Sequence, residues 1–547
     1  VDPNPSLGGI PDAQEFAEFI KAANSGGPLK RWTAESGDIV LLDNIDLSTV
    51  TIDWQAISDD TDVLNANNDC TINNTPFTGV FDGNNYKITG FNPTVVMGSN
   101  KTFGLFSTIK GATIKNVDLS GTMTISATGQ ADAGMLVGTA LSSTIQNVTI
   151  NGNIVSTGST QAKRYALGGV CGFAMAKENV NTVIEGATVN VEVNATGGTN
   201  LSNGGAGAMY GGVVGFATAI NAADNPIVII KNCVNNGNIK WEADIAGNST
   251  SGPHIAGITG YAQKIGSLAI DTTFSNLTNN GDITFKGNMG SMELKLGGII
   301  GYAYASSTQK NLYNKGNIDI EITGGTGHHR IGGIAYGIRN AISDCVNDGN
   351  ITIKGTFGKT LYVGGIVENP NGYARTNLTN NGDILVDAAT INTDCFIGGM
   401  CYDLANGNIT YSNCHNTGDI TVTNKCHVKG SIALGGLIAK FATENERKTF
   451  KACSNSGNVF SGAKCNNACR LGGLIGYQSN GTIMISEGFV NSGNITHSGS
   501  TDGADAIYVA GVAGYISQPA AITYEASGVT NTWTGDIVNK GTIAMSG

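Results

Sequence analysis

Apolar and polar residues alternate in short runs along most of this chain, and the runs recur. Ile283-Thr284-Phe285, Ile351-Thr352-Ile353 and Ile420-Thr421-Val422 each place apolar residues two apart. A period of two carried by β-branched residues predicts strands. Each run follows a copy of Asn-x-Gly-Asn/Asp-Ile or a close variant, with the glycine at 237, 281, 316, 349, 382, 418, 457, 493 and 541. A second motif of paired glycines interleaves with the first: LGGV at 167–170, LGGI at 296–299, VGGI at 363–366 and LGGL at 471–474 are among its copies. Such glycines would cost a helix about 1 kcal/mol each. Two motifs per period of about 35 residues predict a solenoid of short strands joined at glycine corners. Its coils stack in parallel, so equivalent residues lie about 4.8 Å apart.

The cysteines fit this register. Four residues before the motif glycine stand Cys233, Leu277, Leu312, Cys345, Leu378, Cys414, Cys453 and Phe489. Cysteine alternates there with Leu and Phe, as a small apolar side chain in a buried stack does. Cys171 and Cys401 match Val214 and Ile300, and Cys395 and Cys469 match Leu361 and Ile432. With no CxxC and no set of histidine partners, zinc is not expected. The motif Asn, two residues before the glycine, shares the parity of these interior positions. A column of Asn predicts an amide ladder up the stack, with the glycine supplying a positive φ at the corner. A ladder of calcium ligands is the alternative, but the following Asn and Asp interchange and no second acidic position recurs with them.

The chain start differs. DAQEFAEFIKAA (12–23) predicts an amphipathic helix with Asp12 as N-cap, Glu15 completing a capping box, and Phe16, Phe19 and Ile20 as its apolar stripe. With GDIVLLDNIDLS (37–48) it predicts a cap over the first coil, whose open strand edges need cover. Residues 1–11 read as a tether, 12–76 as helix and cap, and 77–547 as the repeat body, about a dozen coils or roughly 60 Å of stack.

Composition narrows the function. Glycine numbers 78 of 547 residues, proline only 10, and charged residues make up 13%. This is neither collagen nor a disordered linker. The net charge of −11 and the absence of a basic block exclude nucleic acid as an expected partner. No apolar run is long enough to span a bilayer as a helix.

FTGVFDGNNYKITGF (77–91), then FGLFSTIKGATIKNVDLSGTM (103–123), then strings such as GGVVGFA and GGLIGYQ, with NIDLS (44–48) ahead of them, resemble the Glug repeat family. The resemblance covers most of residues 36–547. It implies an all-β fold, a right-handed parallel β-helix. It also implies an exported bacterial protein at the cell surface or outer membrane, anchored through a signal or lipoprotein segment lost from the mature end. Family members include adhesins, glycan binders and parts of surface proteases. The shared motifs are structural and specify chemistry poorly.

The chain offers little catalytic material. HExxH is absent, there are 6 histidines, and the one His pair, HHRIG at 328–332, reads as a surface feature. The only acidic cluster holds Asp59, Asp60, Asp62 and Asp69, either a solvated loop or a calcium-stabilised one with Asp59, Asp60 and Asp62 as candidate ligands; no other cofactor is expected. More suggestive is a column just before the paired glycines whose parity points outward: His254, Lys295, Arg330, Tyr362, Phe396, Ala433, Arg470, Tyr508. Aromatic faces stack on sugar rings, a step of about 4.8 Å is close to the length of one sugar unit, and Arg supplies forked donors. Arg330, Tyr362, Phe396, Arg470 and Tyr508 are the candidate ligand-binding residues; ordinary cross-strand stabilisation is the alternative. A second column, Phe173, Phe216, Tyr261, Tyr302, Tyr477 and Tyr515, reads as a buried corner stack. The expectation is a non-catalytic surface binding or adhesion protein with a polysaccharide or host glycan, and in some settings another surface protein, as partner. The alternative is a polysaccharide lyase or glycoside hydrolase, which would need two carboxylates within about 5–10 Å in a groove.

Overall fold

The computed structural model describes residues 6–546 apart from 55–61, 65–69, 73–75, 99–100, 163, 178, 202–206, 221–225, 248–251, 266–271, 304–308, 371–372, 404–406, 443–445, 502–505, 518–520 and 526–536. The chain is a parallel β-helix in two compact units, Val1–Gly281 and Asp282–Gly547. One coil of the second unit has four walls, Ile342–Asn347, Ile351–Phe357, Leu361–Gly364 and Val367–Pro370. The equivalent strands of the next coil pair with the first three of them in parallel: Asn347 with Asn380, Ile351 with Ile384, and Tyr362 with Phe396. The first unit repeats the plan; for example, Val189 pairs with Ile150, Ala166 with Met209, and Phe173 with Phe216. An antiparallel pair, Asp62–Leu64 with Cys70–Ile72, is an exception to the parallel ladders.

The Asn-x-Gly corner joins the first and second walls, and the amide ladder is present there. In the second unit Asn314 donates through Nδ2 to Asn347 Oδ1, Asn347 to Asn380, Asn380 to Asn416 and Asn416 to Asn455, each at 2.8 Å. The same Nδ2 groups donate to the carbonyls of Gly316, Gly349, Gly382 and Gly418 two residues on. All five asparagines are fully buried, so the ladder satisfies amides that would otherwise be costly to enclose.

The next residue but two explains the Asn/Asp interchange. Asn350 N donates to Asn317 Oδ1 at 3.0 Å, Asp383 N to Asn350 Oδ1 at 2.9 Å, and Asp419 N to Asp383 Oδ1 at 2.8 Å. This outer ladder uses only an Oδ1 acceptor, which Asn and Asp both carry.

The motif glycine does not have the positive φ expected of it. The left-handed residues are Asn232, Asn276, Asn311, Asp344, Asn377 and Asn413, five positions earlier. The glycine is needed for close stacking instead: a Cβ on Gly349 would stand 1.9 Å from the Gly316 carbonyl oxygen.

The two motifs also meet each other. A Cβ on Gly333 would stand 2.6 Å from Asn347 Cγ, one on Gly365 2.6 Å from Asn380 Cγ, and one on Gly436 2.4 Å from Asn455 Cγ. The Gly-Gly corner between the third and fourth walls therefore folds inward until its backbone rests on the asparagine ladder opposite. Only glycine permits this approach, which is why the motifs travel together.

The helix α1 spans Ala13–Ser25, and Asp12 caps it by accepting from Glu15 N. Glu15 does not close a capping box. Its carboxylate accepts from Arg31 Nε and Trp32 Nε1, each at 2.8 Å, and the Arg31 contact lowers its pKa. Phe16, Phe19 and Ile20 are buried. Phe19 stacks on Phe81 at 5.6 Å and meets Phe77 and Phe106 edge-on. Asn24 bonds Leu105 O and Ser107 N. The helix thus lies on first-coil residues, as a cap must.

Ten cysteines are free and buried; Cys345, Leu378 and Cys414 stand in register as expected. The His pair departs from expectation. His329 is fully buried between Leu294 and Leu361 in its column, with Nδ1 accepting from Leu294 N at 3.4 Å. Only His328 reaches the surface.

Candidate functional site

The inward fold of the Gly-Gly corner creates a re-entrant bend outside it. Outward side chains of the third and fourth walls converge there, which they do only where a surface folds in. In the second unit the third-wall column is Lys295, Arg330, Tyr362, Phe396, Ala433, Arg470 and Tyr508, in register from coil to coil. The candidate residues thus form two groups, Arg330–Tyr362–Phe396 and Arg470–Tyr508, with Ala433 between them.

They do not form an exposed platform. Phe396 is 7% exposed and Tyr362 half-buried. Fourth-wall side chains cover them: Tyr402 lies 4.5 Å from Tyr362, and Lys440 Nζ lies 5.1 Å from the Phe396 ring centroid. Parity identified the outward side correctly, but at a re-entrant bend outward is not exposed.

The first group is a charge network. The Arg330 guanidinium lies 4.4 Å from the Tyr362 ring centroid and donates to Glu368 Oε1 at 2.9 Å; Glu293 Oε2 is 3.7 Å from its Nε. Lys295 Nζ is 3.8 Å from Glu293. Burial lowers the Lys295 pKa, with Glu293 acting against that shift, and burial raises those of Tyr336 and Tyr362. Glu368 is fully buried. The sequence reading missed Glu293, Glu368, Tyr336 and Tyr402. Glu368 could have been found from its place three residues after the second motif glycine, on the wall facing Arg330.

The second group is aromatic and cationic. Arg470 lies 4.4 Å from the Tyr477 ring centroid and 5.2 Å from that of Tyr515, and Tyr508 packs 4.7 Å from Tyr515. Tyr261, Tyr302, Tyr477 and Tyr515 are half-buried rather than buried. The buried stack holds only for Phe173 and Phe216 of the first unit, which are enclosed and stack at 5.0 Å. His254 of the outward column is also enclosed there, stacked on Tyr261 at 4.4 Å.

Asp59, Asp60 and Asp69 lie outside the described residues, and Asp62 belongs to the short antiparallel strand. Among the described residues no group of three His, Cys, Asp or Glu side chains could hold a metal ion, and no helix is long and apolar enough to cross a membrane.

No protein-family description matches the chain, and no curated protein is similar to it. Among solved structures it is similar to a chain titled a "putative immunoglobulin A1 protease" from Bacteroides ovatus, at 16% identity and a TM-score of 0.36, over 57% of this chain and 76% of that one.

Proposed function

We propose that this is a non-catalytic, exported surface protein that binds carbohydrate along the re-entrant bend of its second unit. The observation that carries the reading is the run of half-buried tyrosines in that bend, Tyr302, Tyr336, Tyr362, Tyr477, Tyr508 and Tyr515, with Arg330 and Arg470 laid over their rings. Half-buried rings with one face packed suit the C–H faces of sugars. Charged donors among them fix orientation. Adhesion to a glycan-bearing surface follows from such a site.

A glycosidase or lyase is the second reading, favoured by one observation. Glu293 and Glu368 both contact Arg330, so their carboxyls fall within the spacing of up to about 10 Å that glycoside cleavage uses. Both are committed to that guanidinium and Glu368 is enclosed, which favours binding over catalysis.

Purified protein on an array of microbial, plant and host glycans tests the first reading. Saturable binding supports it, and no binding at millimolar glycan removes it. Reducing-sugar release from the bound glycan, lost in Glu368→Gln, would replace it with the second.

A further inference from the structure

Arg164, Arg330 and Arg470 each lie over aromatic rings, at 4.2 Å from Phe173, 4.4 Å from Tyr362 and 4.4 Å from Tyr477. The first two also hold a carboxylate of the chain. Arg164 is paired through Nε and Nη2 with Asp132, and Arg330 with Glu368. Among the described residues no carboxylate pairs with Arg470, whose buried Nε, like that of Arg330, has no hydrogen-bond partner.

The register explains the difference. Glu368 stands three residues after the second glycine of its motif, one coil beyond Arg330. The same position one coil beyond Arg470 is Gly514, because Arg470 pairs with Tyr508 and Tyr477 with Tyr515. A Cβ at Gly514 would stand 2.7 Å from Leu471 N, so no side chain can supply an anion from there. Ala433, the column neighbour on the other side, supplies none either.

Resting on the carbohydrate reading, we propose that Arg470 is the acidic-sugar subsite of the bend. Its ring-stacked guanidinium takes the carboxylate of a uronic or sialic acid, as Arg330 takes Glu368, while Tyr508 and Tyr515 flank the sugar ring. A guanidinium over tyrosine is shielded from water on one face and presents its donor edge as a fork, which matches a planar carboxylate.

Matched pairs of short oligosaccharides test this by titration calorimetry at low salt: galacturonate against galactose, glucuronate against glucose, and sialyllactose against lactose. At least one acidic member should bind ten-fold or more tighter than its neutral partner. Arg470→Gln should remove that preference, bringing the acidic member to the affinity of its neutral partner in the same variant. Arg470→Lys, which keeps the charge but not the fork, should restore only part of it, and both variants should melt as a single transition near the parent. Equal binding of acidic and neutral partners, or a preference that survives in Arg470→Gln, overturns the subsite and leaves the carbohydrate reading standing. Binding of none of the six overturns the subsite, and a blank glycan array overturns the reading beneath it.

Discussion

Asn491 and Asn494 lie three residues apart in one coil and ask different things of the same side chain. Asn491 is fully buried and donates through Nδ2 to Asn539 and to Gly493 O, while Asn494 only accepts from Thr542 N at its exposed corner. Asn491→Asp removes both donors and encloses a charge, so it should cost about 3 kcal/mol or more. Asn494→Asp should change stability by less than about 0.5 kcal/mol. Urea unfolding of the two variants checks this contrast. His329 gives a pH prediction. Burial holds its pKa down at about 3, against about 6.5 unfolded. The unfolded chain therefore binds more protons below about pH 6.5, and stability falls as pH drops from there toward 3. By pH 4 the loss from this residue should be on the order of 3 kcal/mol. His329→Leu, which continues the column of Leu294 and Leu361, should flatten melting temperature against pH over that window. An unchanged slope would mean that His329 is not the group responsible. At this scale the sequence was readable wherever a position repeats. Asn347 declared itself by recurring in nine coils and Cys345 by standing at a position that is Cys, Leu or Phe in eight, whereas His329 interrupts an otherwise apolar column of Leu294, Leu361, Cys395 and Ile432 once and so looked accidental.

The elements follow from pairs of residues rather than single ones. The amphipathic stripe of α1 was plain, and Phe16, Phe19 and Ile20 are buried as it required. The partner of Glu15 was not plain, because Arg31 and Trp32 reach it from beyond the helix, across a gap of 16 to 17 residues. Phe19→Ala should cost about 3–5 kcal/mol, as for other enclosed aromatics. Hydrogen exchange should report the loss first at Val80–Asp82 and Phe106–Lys110, the strands carrying its ring partners. The Gly-Gly corner is the other such element. Its recurrence was visible, but its contact with the asparagine of the first corner joins residues 14 to 19 apart in most coils of the second unit, and no local pattern encodes that. Gly365→Ala, with Asn380 Cγ 2.6 Å from the new Cβ and the Gly399 carbonyl oxygen 2.2 Å from it, should unfold the chain at a markedly lower temperature. An equivalent change at Gly111, where nothing lies within 4 Å but φ is +59°, should cost about 1 kcal/mol from backbone strain alone. Thermal melts of the two separate steric closeness from conformational freedom as the reason for glycine.

For the molecule as a whole, the same inward corner that seats glycine on the asparagine ladder leaves a bend on the outside, and each unit fills it differently. The first unit packs its bend with Phe173, Met175, Met209 and Phe216. The second leaves tyrosines half-open and arginines laid over them. Repetition in the sequence specified the coil; the few residues that break the repetition, Glu368 against Gly514 or Ala433 between Phe396 and Arg470, distinguish one stretch of the bend from another. The double variant Tyr362→Ala/Tyr508→Ala, with melting and glycan affinity measured on one preparation, separates a carbohydrate site from packing of the bend. Losing two half-buried rings should lower the melting temperature by only a few degrees and weaken binding of the glycan selected on the array by about 1–3 kcal/mol, roughly five-fold or more. Affinity unchanged in a variant that has lost its rings would contradict the account and leave the tyrosine run as packing for the bend.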